Sequence, residues 1–357
     1  MQPFITEPVR GTIGDMSALK LSGLEAMRRA VRGEAPTPPM HHLTGLSPTE
    51  VGLGTATFTM PVTPWLEDSV GVIWGGTYAL LADAPISTAL YTGLPPGKTV
   101  STSELSINYL RPTTIESKWL VGRGRSVYLG RTVGVSEATI EDARGRTMAH
   151  ATTRCVIQDV PYDPDVDLSD PPPRIQDPPD PYLRDVPNAL KDDVSIWDGD
   201  RLAIQQSLTG RGIASPVQVL TGLEYGAMQE GRATFSLPAS PWFSVGSPMM
   251  YGGVLAWACD NALTGAVWST LDAESIGVSL DFQVRFLRPV PLDGSRLDVA
   301  GEITHRGRSI RVSQAEITNA AGKTVAIASG SSMVVPGGID QLSGREAEDL
   351  AASLGAE

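Results

Sequence analysis

Two aspartates stand inside strongly apolar stretches, and each follows a pair of glycines at the same distance. Gly75-Gly76 precedes Asp83, and Gly252-Gly253 precedes Asp260. A carboxylate buried among apolar side chains costs several kcal/mol unless a partner compensates it, so its presence there suggests chemistry. Glycines at the start of a helix let a ligand oxygen approach backbone N–H groups that have no intrahelical partner. These residues together predict a general base or nucleophile beside an oxyanion hole.

Each feature also has a purely structural interpretation. An aspartate on the side of a helix can bond to a backbone amide or to an arginine. A tight strand-to-helix turn also favours glycine. Both interpretations stay open, because duplication preserves a structural aspartate as readily as a catalytic one.

Both features belong to an internal repeat. Residues 43–157 correspond to residues 220–334 with a constant offset of 177 and no insertion or deletion. Leu110-Arg111-Pro112, for example, returns as Leu287-Arg288-Pro289. A register unbroken over this length predicts two copies of one fold, a covalent version of a homodimer.

The spacing between glycine and aspartate indicates how the copies would cooperate. Eight residues of helix rise about 12 Å, which is too far for Asp83 to act on a carbonyl held at Gly75-Gly76. An antiparallel partner helix would bring the aspartate of the other copy alongside. We therefore predict composite sites, one formed by Gly75-Gly76 with Asp260 and one formed by Gly252-Gly253 with Asp83.

The elements expected around these residues occur in the same order in both copies. In the first copy, Gly145 predicts a hairpin turn between the last two strands. The order of one strand, one helix and four strands predicts an α+β fold class, with tandem domains that each wrap an antiparallel sheet around a central helix. The first-copy elements are a strand at 51–59, an apolar helix at 75–91 and strands at 102–110, 119–127, 132–141 and 147–157.

The same pattern divides the chain into four segments. We predict an N-terminal domain at residues 1–157, with a leading amphipathic helix at 17–33, and a C-terminal domain at 197–336. Residues 158–196 do not repeat and are rich in proline and aspartate, which favours an extended, stiff linker. Residues 337–357 are expected to form a flexible tail.

Composition narrows the classes of function. The net charge of −12 argues against a general surface for nucleic acid or anionic membranes. No transmembrane run or signal peptide is recognisable, so a cytoplasmic location is expected. Cys155 and Cys259 do not correspond in the repeat, which favours buried free thiols over a disulfide or a metal site. The four histidines are His41, His42, His150 and His305. None of them is matched by a histidine in the other copy, which argues against metal ligation.

The residues and their order resemble the PaaI-like acyl-CoA thioesterases of the hotdog fold. The resemblance covers both copies and leaves out only the linker and the tail. The matching first-copy positions are Pro39 to Gly45, Trp65, Gly75-Gly76 with Asp83, Thr102 with Glu104, Leu110-Arg111-Pro112, the Gly130-Arg131 turn and the Gly145 to Ala149 hairpin.

The resemblance implies hydrolysis of an acyl-CoA, with coenzyme A as part of the substrate and with no separate cofactor or metal. It implies that a glycine N–H polarises the thioester carbonyl and that an aspartate of the opposite copy acts as general base or nucleophile. Thr102 and Ser279, each near the start of the next strand, are implied to assist. The resemblance also implies that arginines meet the coenzyme A phosphates, and the candidates are Arg111, Arg131, Arg288 and Arg308. A role on the solvated surface is the alternative for these arginines.

The chain departs from the family pattern beside the glycines. Trp74 and Tyr251 stand where the family usually has histidine, and Asp68 and Val245 stand where asparagine is usual. We expect Trp74, Tyr251 and Asp68 to shape the acyl pocket instead, and the two sites to be unequal. Pro85 is unusual inside the first helix because it lacks an N–H group.

Two further functions are compatible with the fold. A non-catalytic acyl-CoA or lipid-binding protein is favoured by the missing histidine and asparagine. A hydratase or dehydratase is disfavoured, because no histidine is positioned for an acid–base pair. Membrane and nucleic-acid partners are not expected, and sheet surface left over suggests a homodimer of such chains. The acyl group and the role of aspartate as base or nucleophile stay open.

Overall fold

The secondary structure repeats with the sequence. The computed structural model describes residues 1–173, 175, 177–212 and 215–337. Within these residues each copy contributes three α-helices and six strands. The helices are α1 (Gly23–Val31), α2 (Pro39–Thr44), α3 (Thr77–Tyr91), α4 (Arg201–Thr209), α5 (Pro216–Thr221) and α6 (Gly252–Trp268). The first-copy strands are β1 (Ser47–Gly52), β2 (Thr55–Pro61), β3 (Lys98–Tyr109), β4 (Trp119–Leu129), β5 (Val133–Asp142) and β6 (Thr147–Asp159). The second-copy strands are β7 (Glu224–Gln229), β8 (Arg232–Pro238), β9 (Ser275–Phe286), β10 (Arg296–Arg306), β11 (Ile310–Asn319) and β12 (Thr324–Pro336).

The strands form one antiparallel sheet that runs through both copies. The order is β1-β2-β4-β5-β6-β3-β9-β12-β11-β10-β8-β7, so the copies join edge to edge through β3 and β9. At this seam Glu104 lies opposite Arg285, and Asn108 lies opposite Asp281. The predicted α+β fold class, an antiparallel sheet with a central helix in each copy, is confirmed.

Helices α3 and α6 lie against the sheet, and nearly every residue of both is buried. Both are apolar on all sides, which is the pattern of a helix enclosed by other elements. They also contact each other: a side chain at Gly76 would meet Trp257, whereas one at Gly253 would meet Ala79. Residue numbers increase along α3 as the numbers of their contact partners decrease along α6, so the two helices run antiparallel. No described helix is long and apolar enough to cross a membrane.

Two glycines let the central helices approach the sheet closely. A Cβ at Gly124 of β4 would lie 2.2 Å from the carbonyl oxygen of Pro85, and one at Gly301 of β10 would lie 2.1 Å from that of Ala262. The two glycines correspond in the repeat, so both helices touch their strands at a point where only glycine fits. Pro85 stays inside α3, which continues to its C-terminal end without a break.

Two predicted elements are wrong in their extent. Residues 51–59 are not one strand but cross the hairpin between β1 and β2, with Gly54 in the left-handed region (φ 75°). A tight hairpin turn interrupts the alternation so briefly that the pattern looks continuous. The helix predicted at 17–33 is also shorter, because Ser22 caps α1 and accepts a hydrogen bond from Glu25 N–H.

The linker contacts the N-terminal segment. The guanidinium of Arg10 lies 2.9 Å from a carboxylate oxygen of Asp180, and His42 contacts the same carboxylate. Arg184 pairs with both oxygens of Glu7 at 2.6 and 2.9 Å. The domain boundaries themselves stay predictions. Residues 338–357, which make up nearly all of the predicted tail, lie outside the described residues.

Both cysteines are buried free thiols, as predicted. Burial raises the pKa of Cys155 to about 12 and also raises that of Cys259. Because a protonated thiol is a poor nucleophile, neither cysteine is a catalytic candidate.

Candidate active site

The antiparallel helices bring Asp260 to the first turn of α3. The N–H of Gly76 donates to Oδ2 of Asp260 at 2.7 Å, and the hydroxyl of Tyr109 donates to Oδ1 at 3.0 Å. Burial raises the pKa of Tyr109 well above its usual value, so its hydroxyl stays protonated and remains a donor. Both oxygens of a carboxylate that is only 1% exposed are therefore held by the opposite copy.

Asp83 has a related environment at the other end of the helix pair. The hydroxyl of Thr102 donates to Oδ1 of Asp83 at 2.7 Å, and the N–H of Gly253 also bonds to this carboxylate. A Cβ at Gly252 would lie 2.7 Å from Oδ2 of Asp83. The residues proposed from spacing thus lie together as Gly252-Gly253 with Asp83 and as Gly75-Gly76 with Asp260.

The two aspartates share one electrostatic character. Burial raises the pKa of each to about 6, although the hydrogen bonds that each accepts act in the opposite direction. At neutral pH both carboxylates are therefore mainly ionised but still basic enough to accept a proton. A base with a pKa near the working pH is what general-base catalysis requires.

The two glycines of each pair have different partners. The second glycine, Gly76 or Gly253, donates its N–H to the aspartate of the other copy. Among the described residues, nothing accepts a hydrogen bond from the N–H of the first glycine, Gly75 or Gly252. These N–H groups lie at the positive ends of α3 and α6, so they can stabilise a developing oxyanion.

Tyr109 is a functional candidate that the sequence patterns missed. Its counterpart in the repeat is Phe286, which lies against Gly252 near Asp83 but has no hydroxyl. Asp83 instead accepts a hydrogen bond from the hydroxyl of Thr102. Ser279, the counterpart of Thr102, lines a cavity. The one available signal was a tyrosine-to-phenylalanine mismatch at corresponding strand ends.

A cavity of about 260 Å³ opens beside the first glycine of α3. It lies between the first copy and strand β9 of the second copy, next to Tyr109, which holds Asp260. Its lining is mostly apolar, with hydroxyl and guanidinium groups at the edge. The residues that matter for chemistry there are Trp74, Gly75, Tyr109, Arg111, Thr264 and Ser279.

The two residues at the usual histidine position differ in exposure. Trp74 is half-buried, lines the cavity and meets Trp268 edge to face with ring centres 5.6 Å apart. Tyr251 is buried, and its hydroxyl donates to the carbonyl oxygen of Leu80 at 3.1 Å. The tyrosine therefore joins α6 to α3, whereas the tryptophan faces open space.

The remaining predicted residues lie at varied distances from this cavity. Asp68 is buried, and its Oδ1 accepts hydrogen bonds from Val70 and Val72 within a loop. Arg111 lines the cavity and donates to the carbonyl oxygen of Thr147 at 2.5 Å. The other predicted arginines are exposed and are absent from the described lining of the cavity: Arg131, Arg288 and Arg308.

Comparison with known proteins supports a relationship to thioesterases. The model of the thioesterase superfamily matches residues 70–149 and 248–326, which contain both glycine–aspartate motifs. The TesB protein of Mycobacterium avium subspecies paratuberculosis has 13% identity over 84% of this chain and 98% of its own, with a TM-score of 0.52. A hot dog-fold protein of unknown function from Alicyclobacillus acidocaldarius has 16% identity over 84% of this chain and 98% of its own, with a TM-score of 0.50.

The resemblance to PaaI extends over a single copy. The PaaI protein from the phenylacetic acid degradation operon of E. coli has 24% identity over 38% of this chain and 98% of its own, with a TM-score of 0.34. No significant match was found among curated proteins. At these identities the solved structures show the fold alone. Two segments of the chain match the thioesterase superfamily, each with one glycine–aspartate motif, and the chain carries two hotdog domains in tandem.

Proposed function

We propose that the chain hydrolyses acyl-CoA thioesters to a free acid and coenzyme A at composite sites between its two hotdog domains. The observation that carries this proposal is the bond between Asp260 and Gly76 beside a cavity that reaches Gly75. A buried basic carboxylate, a free backbone donor and room for a substrate meet at this point. The more specific assignment of the chain to the PaaI-like acyl-CoA thioesterases is part of the same proposal.

The proposed reaction uses the two copies for different tasks. The thioester carbonyl oxygen accepts a hydrogen bond from Gly75 N–H, which stabilises the negative charge of the tetrahedral intermediate. Asp260 removes a proton from water, and the hydroxide forms the new C–O bond. The C–S bond then breaks, and the coenzyme A thiolate takes up the proton. If Asp260 attacks the carbonyl directly, a mixed anhydride forms, and water then opens it.

Coenzyme A enters this scheme as part of the substrate, with no separate cofactor. Arg111 is exposed and lines the cavity, so its positive charge lies where a phosphate of the bound substrate would be attracted. Because Arg131 and Arg308 lie outside the described lining, we assign them to the outer part of the nucleotide path or to the solvated surface. Arg111 is therefore the arginine whose loss should raise KM most.

Release of free thiol from a panel of acyl-CoAs, from short aliphatic to aryl and long-chain, tests the proposal. We expect turnover of at least one acyl class and its loss in the Asp83→Asn, Asp260→Asn double variant. Asp272→Asn, at an exposed aspartate in the loop after α6, is the matched control and should keep the wild-type rate. Wild-type rates in the double variant would refute the mechanism.

A second candidate function is acyl-CoA binding without turnover. It is favoured by the hydrogen bonds that already hold both oxygens of Asp260, because they reduce the lone pairs left for water. Isothermal titration calorimetry with the same acyl-CoA panel separates the two functions. Saturable binding without thiol release would support the binding protein and contradict the hydrolase.

A further inference from the structure

A second, smaller cavity lies deeper in the second copy, between α6 and the strands β7 and β8. It has a volume of about 40 Å³ and is here called the inner chamber. Trp74 and Thr264 line both the inner chamber and the larger cavity beside Gly75, so the two spaces are neighbours. A space of this size accommodates a small polar group rather than a whole chain.

Several buried polar side chains reach the inner chamber, although most of its lining is apolar. Gln205 of α4 is only 7% exposed, and its Oε1 has no hydrogen-bond partner. Asn261 and Thr264 of α6 and Asp68 also line the space and are buried. A buried acceptor without a donor is costly, so an orphaned acceptor in a cavity indicates a ligand or water that donates to it.

The amide of Asn261 has no equivalent in the first copy. Asn261 corresponds to Ala84, whereas Thr264 corresponds to Ser87, which keeps a hydroxyl. The acceptor that Asn261 adds on α6 therefore distinguishes the second copy, where the first copy has a methyl group.

The chamber lies along the direction that an acyl group would take from Asp260. Thr264 is four residues further along α6, which corresponds to a rise of about 6 Å. An acyl chain whose thioester carbon is near Asp260 would therefore run along α6 towards Trp268. The indole of Trp74, packed edge to face on Trp268, lines both spaces where they adjoin.

We propose that the inner chamber is the subsite for the far end of the acyl group and that it takes an uncharged hydrogen-bond donor, such as a terminal hydroxyl. This inference rests on the proposed thioesterase function. The hydroxyl would donate to Gln205 Oε1, with Asp68 and Asn261 as neighbouring acceptors. Burial raises the pKa of Asp68 to about 7, so the environment opposes charge and suits a neutral terminus.

The test uses pairs of acyl-CoAs of equal chain length that end in a methyl or in a hydroxyl group. We expect that, at the length which reaches the chamber, kcat/KM is about tenfold higher for the hydroxyl-ended member, because that member satisfies the buried acceptor. Gln205→Leu should remove this preference. Gln206→Leu is the matched control, because Gln206 is the exposed neighbour and should leave the preference intact. Asn261→Ala, which copies the first domain, is the second variant in case Gln205→Leu does not fold.

Binding of the same pairs, measured by calorimetry, separates this inference from the proposed function. Turnover with no preference at any chain length would overturn the subsite and leave the hydrolase intact. Tighter binding of the hydroxyl-ended member without turnover would refute the hydrolase and support the subsite. A preference that persists in both Gln205→Leu and Asn261→Ala would also overturn the subsite.

Discussion

The two aspartates occupy corresponding positions but are held by hydroxyls from different copies. Asp83 receives its hydroxyl from Thr102 of its own copy, and Asp260 receives its hydroxyl from Tyr109 of the other copy. Burial gives both carboxylates a raised pKa of about 6. The difference therefore lies in how each carboxylate is oriented and approached rather than in its basicity.

Access separates the two sites more strongly. The Asp260 site adjoins a cavity of about 260 Å³ at Gly75, whereas buried Tyr251 and partly buried Phe286 pack around the glycines near Asp83. Duplication thus preserved the backbone of both sites, while substitutions at a few side chains left one of them better suited to a substrate. A covalent dimer can diverge in this way, but a homodimer of identical chains cannot.

The largest expected effect comes from removing each carboxylate separately. Asp260→Asn should lower kcat/KM by about 10²- to 10⁴-fold, because it removes the general base beside the open cavity. Asp83→Asn should leave kcat/KM within a factor of about three of wild type. Steady-state thiol release from both single variants measures this difference. Equal losses would show that both sites work and that the contrast in access has no catalytic consequence.

The pH dependence follows from the raised pKa of Asp260. Its catalytic form is the carboxylate, so kcat/KM should rise with pH up to about 6 and then level off. Below that midpoint the rate should fall about tenfold per pH unit, as the carboxylate becomes protonated. A pH profile of kcat/KM in a non-binding buffer series measures it. A midpoint near 4, the usual aspartate value, would contradict the assignment of a buried base.

Tyr109→Phe isolates the hydroxyl that distinguishes the two sites. Because the tyrosine hydroxyl lowers the pKa of Asp260, its removal should shift the pH midpoint upwards and lower kcat by about tenfold. The matched control is Phe286→Tyr at the corresponding position, which should leave the midpoint unchanged. An unchanged midpoint in Tyr109→Phe would mean that the hydroxyl does not contact the carboxylate during catalysis.

The repeat and helix geometry together were enough to predict the fold class and the antiparallel approach of α3 and α6. They did not predict Tyr109, because its reach to Asp260 depends on the register between β3 and β9. Alternation within one strand sets which face a residue lies on, but not which residue of a distant strand lies opposite it. The hairpin at Gly54 was missed for a related reason, since two turn residues barely disturb an alternating pattern.

Asp68 and Val245 stand where the family usually has asparagine, and the sequence predicts that this changes the pocket. The structure shows that the buried carboxyl group of Asp68 also lowers the stability of the fold. Two backbone N–H groups donate to Oδ1 of Asp68, but burial dominates and raises its pKa to about 7. The folded chain therefore binds the proton more tightly than the unfolded chain, whose aspartate has a pKa of about 4. Stability contributed by this proton is present at pH 4 and is lost as the pH rises towards 7.

Asp68→Asn keeps the Oδ1 acceptor but removes the titrating group, so it should be the more stable protein at high pH. We expect its melting temperature to exceed that of wild type by a few degrees at pH 8 and by clearly less at pH 5. Differential scanning fluorimetry at several pH values measures the gap, and Asp281→Asn, at an exposed aspartate, should show none. Buried Glu67 also titrates in this range, and the charge of Asp68 raises its pKa, so relief of that repulsion in Asp68→Asn adds to the gap at high pH. If the difference in melting temperature stays constant between pH 5 and pH 8, Asp68 is solvated or paired in the folded protein. Its loop would then carry no greater electrostatic cost than the loop of the second copy, which has Val245 at this position.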